Sequence, residues 1–245
     1  MPLNMNTVKQ ASSKPRELIE AGAQRARLVQ VVDLGLQPQR PYQGQDKPPA
    51  YEVYLTFEFP DSRIEIDGES RPRWKSRRMK LSSHEKSTCF AWYKKLDPMN
   101  EFKGDFSKLI GKEIGVLIVH DTVTQGKNAG NTYDNIGDLM PLMKGIEVPP
   151  LENDPAVFDL GSPDATVWDK LPDWLQEIIK GNLEYDNSKL QSMVEGTPKQ
   201  WTARADGDAS DGVLPETYPE GKEPADVPDV DTSVAIEDED DDAPF

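Results

Sequence analysis

Tyr51-Glu52-Val53-Tyr54-Leu55-Thr56-Phe57-Glu58-Phe59 decides the fold class of this chain. Tyr51, Val53, Leu55, Phe57 and Phe59 alternate with Glu52, Tyr54, Thr56 and Glu58, a period of two that belongs to a strand with its first set on a core. Upstream, Ala26, Leu28, Val31, Val32 and Leu34 make a dense apolar run, so Arg25 to Gly35 reads as a preceding strand. The proline-rich stretch from Gln37 to Pro49 between them is a long loop. Downstream, Asp61 to Ser70 reads as a turn or extended hairpin loop built around Asp67-Gly68. It leads into a third strand of unusual charge, Arg71-Pro72-Arg73-Trp74-Lys75-Ser76-Arg77-Arg78-Met79-Lys80-Leu81.

Further along, Ser82 or Ser83 is placed to cap a helix running to about Leu96. Leu109 and Ile110 form a short segment before Gly111, Ile114 to His120 is an apolar fourth strand, and Thr132 to Leu142 is a fifth. Three strands, a helix and two strands is the element order of a small Greek-key barrel of the OB type. After Pro149-Pro150, Leu171, Leu175, Ile178 and Ile179 lie at helical spacing behind Pro172, and their Trp and Leu side is expected to pack on the barrel. The sequence therefore predicts a mainly β protein. A flexible arm occupies residues 1–24, a five-stranded OB-fold barrel 25–149, a helical extension 150–204 and a disordered acidic tail 205–245.

The formal charge of −16 is concentrated in that tail, which holds 15 acidic residues and a single base, Lys222. Residues 1–149 carry 22 bases against 19 acids, so the predicted barrel is slightly basic. The tail also contains five prolines and only two aromatics, too little apolar surface to offset the entropy of ordering. A lone cysteine, Cys89, excludes an internal disulfide and fits a reducing compartment. With no leader pattern and no run of about 18 apolar residues, the expectation is a soluble, cytoplasmic protein that does not enter membranes.

The third strand carries the binding chemistry. Arg73, Lys75 and Arg77 share one face, while Trp74, Ser76, Arg78 and Lys80 share the other, with Arg71 at the start. Burying so many unpaired charges is too expensive, so at least the first half of the strand is expected to face solvent or an anion. Cations that follow a sugar-phosphate backbone and flat rings that stack on bases are what single-strand binding needs. Arg27 on the first strand, Tyr54 beside Trp74 as a two-ring platform, Lys127 in the loop between strands four and five, and Tyr133 on the fifth complete the candidate set. Tyr133 serves equally as a core residue. The competing reading of the basic strand is an edge protected from aggregation.

No catalytic constellation emerges. His84 and His120 are far apart and lack the His or Cys companions of a zinc site, and Gly126-Lys127-Asn128-Ala129-Gly130 reads as a hairpin or binding loop rather than a phosphate cradle. The expectation is a binding protein with no catalytic residue, metal or cofactor.

The chain closes on six carboxylates, Glu237 to Asp242, followed by Ala243-Pro244-Phe245. A charge run usually means a solvated tail. A terminal ring gains roughly 1.5–3 kcal/mol from burial only where another surface supplies the pocket. Asp240, Asp241, Asp242, Pro244 and Phe245 therefore read as a partner-binding tip. This tip resembles that of bacterial single-stranded DNA-binding proteins, with Ala243 where a larger aliphatic residue is usual.

The body resembles phage-encoded single-stranded DNA-binding proteins in Arg27-Leu28-Val29-Gln30-Val31-Val32-Asp33-Leu34-Gly35, Tyr54-Leu55-Thr56-Phe57-Glu58, Leu81-Ser82-Ser83-His84-Glu85-Lys86-Ser87, and Tyr133-Asp134-Asn135-Ile136 leading to Met140-Pro141-Leu142. The resemblance implies an OB-fold that coats single strands during phage DNA replication, recombination or repair, with the tail recruiting replication or repair proteins. A homo-oligomer or a cooperative assembly on DNA is compatible with it. Free of DNA, the tail is expected to compete for the basic groove at high effective concentration. The alternatives are an acidic DNA mimic and a phage structural or assembly protein, both acting through protein contacts only.

Overall fold

The computed structural model describes residues 17–42, 44–66, 68–126 and 129–196. Lys127 and the acidic tail with its tip lie outside the described residues. Five antiparallel strands, β1 (Gly22–Gln37), β2 (Ala50–Ile66), β3 (Glu69–Lys80), β4 (Glu113–Thr122) and β5 (Thr132–Met140), lie in the order β3-β2-β1-β4-β5 in a strongly curled half-barrel. A helix, α1 (Thr88–Leu96), follows β3.

The strand β1 makes the curl possible by serving two neighbours in turn. Its first half, Gly22 to Arg27, pairs with β4, and its second half, Arg27 to Gln37, pairs with β2. The edge that β4 leaves free at Gln30 to Val32 is taken up in parallel by a short strand, β6 (Ala156–Phe158). The long hairpin of β2 and β3 differs from expectation: both strands continue to Ile66 and from Glu69, so little of the expected loop remains. Helix α1 also starts later than expected, with Ser87 rather than Ser82 or Ser83 at its cap, its hydroxyl accepting from the N–H of Phe90 at 3.1 Å. The reason is local: Ser87 is drawn back by bonds from its N–H and hydroxyl to the carbonyl of His84, which ends the preceding turn.

Val53, Leu55, Phe57 and Phe59 fill the concave side as the alternation predicts, together with Leu28, Ile114, Val116, Ile118, Ile136 and Leu139. From α1, Trp92 sits edge-on to Phe57 with ring centres 6.1 Å apart, closing the bottom of this core. Tyr51, expected with the core set, is 48% exposed and donates instead to Glu184 at 2.9 Å.

A second apolar cluster forms on the convex side of β1. Val32 and Leu34 meet Phe158, Trp168, Leu171, Leu175 and Ile179, drawn from β6, α2 (Ala165–Trp168), α3 (Asp173–Lys180) and the connections beside them. A further helix, α4 (Lys189–Glu195), adds Leu190. Gly35 permits this docking. Its φ of +73° is unfavourable for other residues, and a Cβ there would lie 2.9 Å from both Asn182 Cγ and Leu160 Cδ1. The expected N-terminal arm also ends earlier than residue 24, because Ile19 is 2% exposed within the barrel core and β1 begins at Gly22. Among the described residues, no helix is long and apolar enough to cross a membrane.

Candidate nucleic-acid interface

The strand β3 separates its cations by parity, and the two rows have different fates. The concave row, Arg73, Lys75 and Arg77, faces the gap between the two ends of the curled sheet. Lys75 Nζ lies 2.7 Å from Asp134 Oδ1 on β5, with the two side chains 15% and 3% exposed. Arg77 donates to the carbonyl of Ile136 at 2.6 Å, its guanidinium 5.3 Å from the centre of the Trp92 ring. Arg73 donates to the backbone carbonyl and the carboxylate of Glu17. Glu17 to Glu20 continue this bridge: the N–H of Ile19 donates to Asp134 Oδ2 at 3.0 Å, and the carbonyl of Ile19 accepts from His120 Nε2 at 2.7 Å.

This corrects the expectation that β3 cannot turn charge inward. Desolvating a cation is unfavourable when it is unpaired, but here Asp134 and the carbonyls of β5, distant in sequence, supply partners. Lys75 and Arg77 therefore join the two edges of the sheet, and Arg73 ties β3 to the segment that precedes β1.

The convex row is Trp74, Ser76, Arg78 and Lys80, paired with Glu58, Thr56, Tyr54 and Glu52 of β2. Trp74 is 43% exposed and donates from Nε1 to Glu58 Oε2 at 3.3 Å. Ser76, Thr56 and Gln30 form a hydrogen-bonded chain across three strands, each link 3.0 Å. Arg78 is ion-paired with Glu52, and Lys80 is exposed.

The expected two-ring platform does not form, because the register sets Tyr54 opposite Arg78 and Trp74 opposite Glu58. Tyr54 meets Trp174 of α3 instead, edge-on at 5.7 Å between ring centres. Burial beneath that helix pushes the Tyr54 phenol above its ordinary pKa, with a hydrogen bond to Ser76 acting in the opposite direction.

The remaining candidates are scattered. Arg27 lies in register with Glu58, hence in the same cross-strand row as Trp74. Its guanidinium, however, is held by the carbonyls of Pro149 (2.6 Å), Val148 (2.6 Å) and Gly111 (2.8 Å) and by Glu113 (2.7 Å). Arg71, on the exposed part of the hairpin, contacts Glu69 at 2.7 Å. Tyr133 is half-buried opposite Asp121 on β4, outside the β2–β3 ladder.

What covers the convex side is the chain that follows β5. Residues 148–149 lie over Arg27. The N–H of Glu152 and the side-chain amide of Asn153 then donate to Glu58 at 2.8 and 2.6 Å. Along the convex row of β3, Trp74 and Lys80 are exposed and Ser76 and Arg78 half-buried, while Glu52, Thr56 and Glu58 of the facing β2 row are buried and Trp174 lies beside Tyr54. Sequence reasoning missed Asp134 and Trp174. A lone Asp in a predicted strand carries no signal of an inward-facing Lys, and Trp174 is absorbed into the apolar face of its helix.

The chain matches no protein-family profile, no curated protein and no solved structure. Among the described residues, no group of three or more His, Cys, Asp or Glu side chains is arranged to hold a metal ion.

Proposed function

We propose that this protein binds single-stranded DNA along the convex face of β3, and that its curled sheet is an OB-type barrel. The strand order β3-β2-β1-β4-β5, with β3 and β5 brought face to face and α1 following β3, supports the barrel assignment. The observation that carries the functional reading is Trp74, a half-exposed indole on the outer face of the edge strand β3, in line with Arg78 and Lys80. An indole offers a stacking surface to any base, and the cations offer contacts to phosphate without reading sequence. Arg78 exchanges one anionic partner, Glu52, for another when it engages a phosphate.

In this reading the protein coats single strands during phage DNA replication, recombination or repair. The tip formed by Asp240, Asp241, Asp242, Pro244 and Phe245 recruits the proteins that act on them. A second reading has a specific observation in its favour: Arg71, Arg73, Lys75 and Arg78 all have carboxylate partners within the protein. A structural or assembly protein acting through protein contacts alone needs no free cations.

Titration of the full-length protein with a labelled single-stranded and a duplex oligonucleotide at two salt concentrations separates the readings. Preference for the single strand, with affinity falling as salt rises, is expected of the DNA-binding protein. The protein-contact reading expects no binding to either.

A further inference from the structure

We infer that Trp174, contributed by the helical extension, is a second base-stacking platform that works together with Trp74, so that the binding face is shared between barrel and extension. This inference rests on the single-strand-binding reading above.

Leu175 and Ile179 are buried against the barrel and Ile178 packs beside them, which accounts for the apolar face of α3. Trp174 lies beside this face. Its ring touches Tyr54 edge-on and remains 40% exposed, although an indole is among the largest apolar groups a helix can bury. A single exposed aromatic is ordinary. Here a second half-exposed indole, Trp74, stands on the same side of the same two strands.

Their relative position follows from the register. Trp174 is anchored on Tyr54 and Trp74 is anchored on Glu58, and these two β2 residues are four apart on one face of the strand. At the rise of a strand that places the anchors about 13 Å apart. Rings held on anchors so spaced serve different nucleotides of the same strand. Between them lie half-buried Ser76 and Gln30 and buried Thr56, whose polar groups are satisfied by one another. Arg78 lies opposite Tyr54, and Lys80 is two residues further along the same face, placing cations beside the Trp174 end. The pattern of ring, polar residues, ring and cation suits bases on the indoles with phosphates toward Arg78 and Lys80.

The test uses the full chain, wild type and the variants Trp174→Phe, Trp174→Leu and Trp74→Ala, titrated with a labelled oligothymidylate long enough to span both rings. Thermal unfolding of each variant is recorded alongside. Leucine keeps apolar cover over Tyr54 but has no ring face, whereas phenylalanine keeps a ring. Stacking predicts that Trp174→Leu unfolds near the wild-type temperature yet binds about tenfold more weakly, a loss comparable to that of Trp74→Ala. Trp174→Phe should retain most of the affinity. If wild type binds, Trp74→Ala weakens binding and Trp174→Leu does not, the inference is overturned and the binding reading stands. If wild type does not bind, that reading itself fails and the inference fails with it.

Discussion

Lys75 and Asp134, 59 residues apart in sequence, meet across the mouth of the curled sheet at 2.7 Å. Strands β3 and β5 form no ladder with each other, so this ion pair, the Arg77–Ile136 bond and the Ile19 N–H on Asp134 close the gap. The pair is nearly sheltered from solvent, the circumstance in which removing one partner costs most because the other charge is left buried. Asp134→Ala is expected to lower stability by about 3 kcal/mol or more. In a double-mutant cycle with Lys75→Met, the second substitution should add little to the first. Urea denaturation checks this, and additive effects would contradict it.

Ile19 predicts a second stability effect, from a residue that precedes the first strand. Its side chain belongs to the barrel core, and its N–H and carbonyl tie β5 to β4 through Asp134 and His120. Ile19→Ala should cost about 2–4 kcal/mol, the range for a truncated core aliphatic. A change below about 0.5 kcal/mol, typical of a surface site, would show that the segment is not part of the core. Denaturant unfolding of the purified variant makes the measurement.

Asp33 predicts a pH dependence. Burial pushes its carboxyl above the usual carboxylate range, the backbone N–H groups of Gly35 and Leu160 hold it back, and nearby Asp159 and Glu184 add to the rise. A native carboxyl that holds its proton more tightly than the unfolded chain makes folding take up a proton. Its contribution to stability is therefore greatest below the unfolded pKa and is lost as pH rises through the raised native value. Asp33→Asn keeps an oxygen for the Gly35 N–H, now 2.9 Å from Asp33 Oδ1. Relative to wild type it should gain stability at about pH 7 but not at about pH 4. Equal effects at the two pH values, in parallel denaturation curves, would contradict this.

Removing residues 205–245 deletes a net charge of −14. A tail that competes with DNA for the β3 face should, when removed, raise affinity for a single strand on the order of tenfold at low ionic strength. The difference should shrink as salt screens the tail. Unchanged affinity at low salt would rule out self-competition; oligonucleotide titrations of the two forms decide it.

Much of the architecture was legible in the sequence because it rests on local patterning. The alternation from Val53 to Phe59, the apolar runs of β1 and β4, and the helical spacing of Leu175 and Ile179 all report burial directly, whereas Leu171, expected on the same helix, is buried in the connection before α3, which Pro172 caps. What stayed hidden depends on contacts between distant segments. Whether Lys75 faces water or protein is decided by Asp134, and whether Tyr54 stacks on Trp74 is decided by a register that puts Arg78 opposite Tyr54 and leaves Trp174 to cover it. Arg27 illustrates the same limit. Its position in the Trp74 row is a matter of strand pairing, yet its availability is set by the carbonyls of Val148 and Pro149, about 120 residues away. The two rows of β3 follow from strand parity, whereas the closing of the inner row follows from Asp134, Ile136 and Glu17, which are remote from it in sequence.

The most direct test is the affinity of Trp74→Ala and wild type for a labelled single-stranded oligonucleotide at low salt, measured by fluorescence anisotropy. The account predicts that wild type binds, and that the variant binds between about five and a hundred times more weakly on every sequence tried, the equivalent of one lost base stack. Equal affinity of the two proteins, or no binding by wild type, would contradict it.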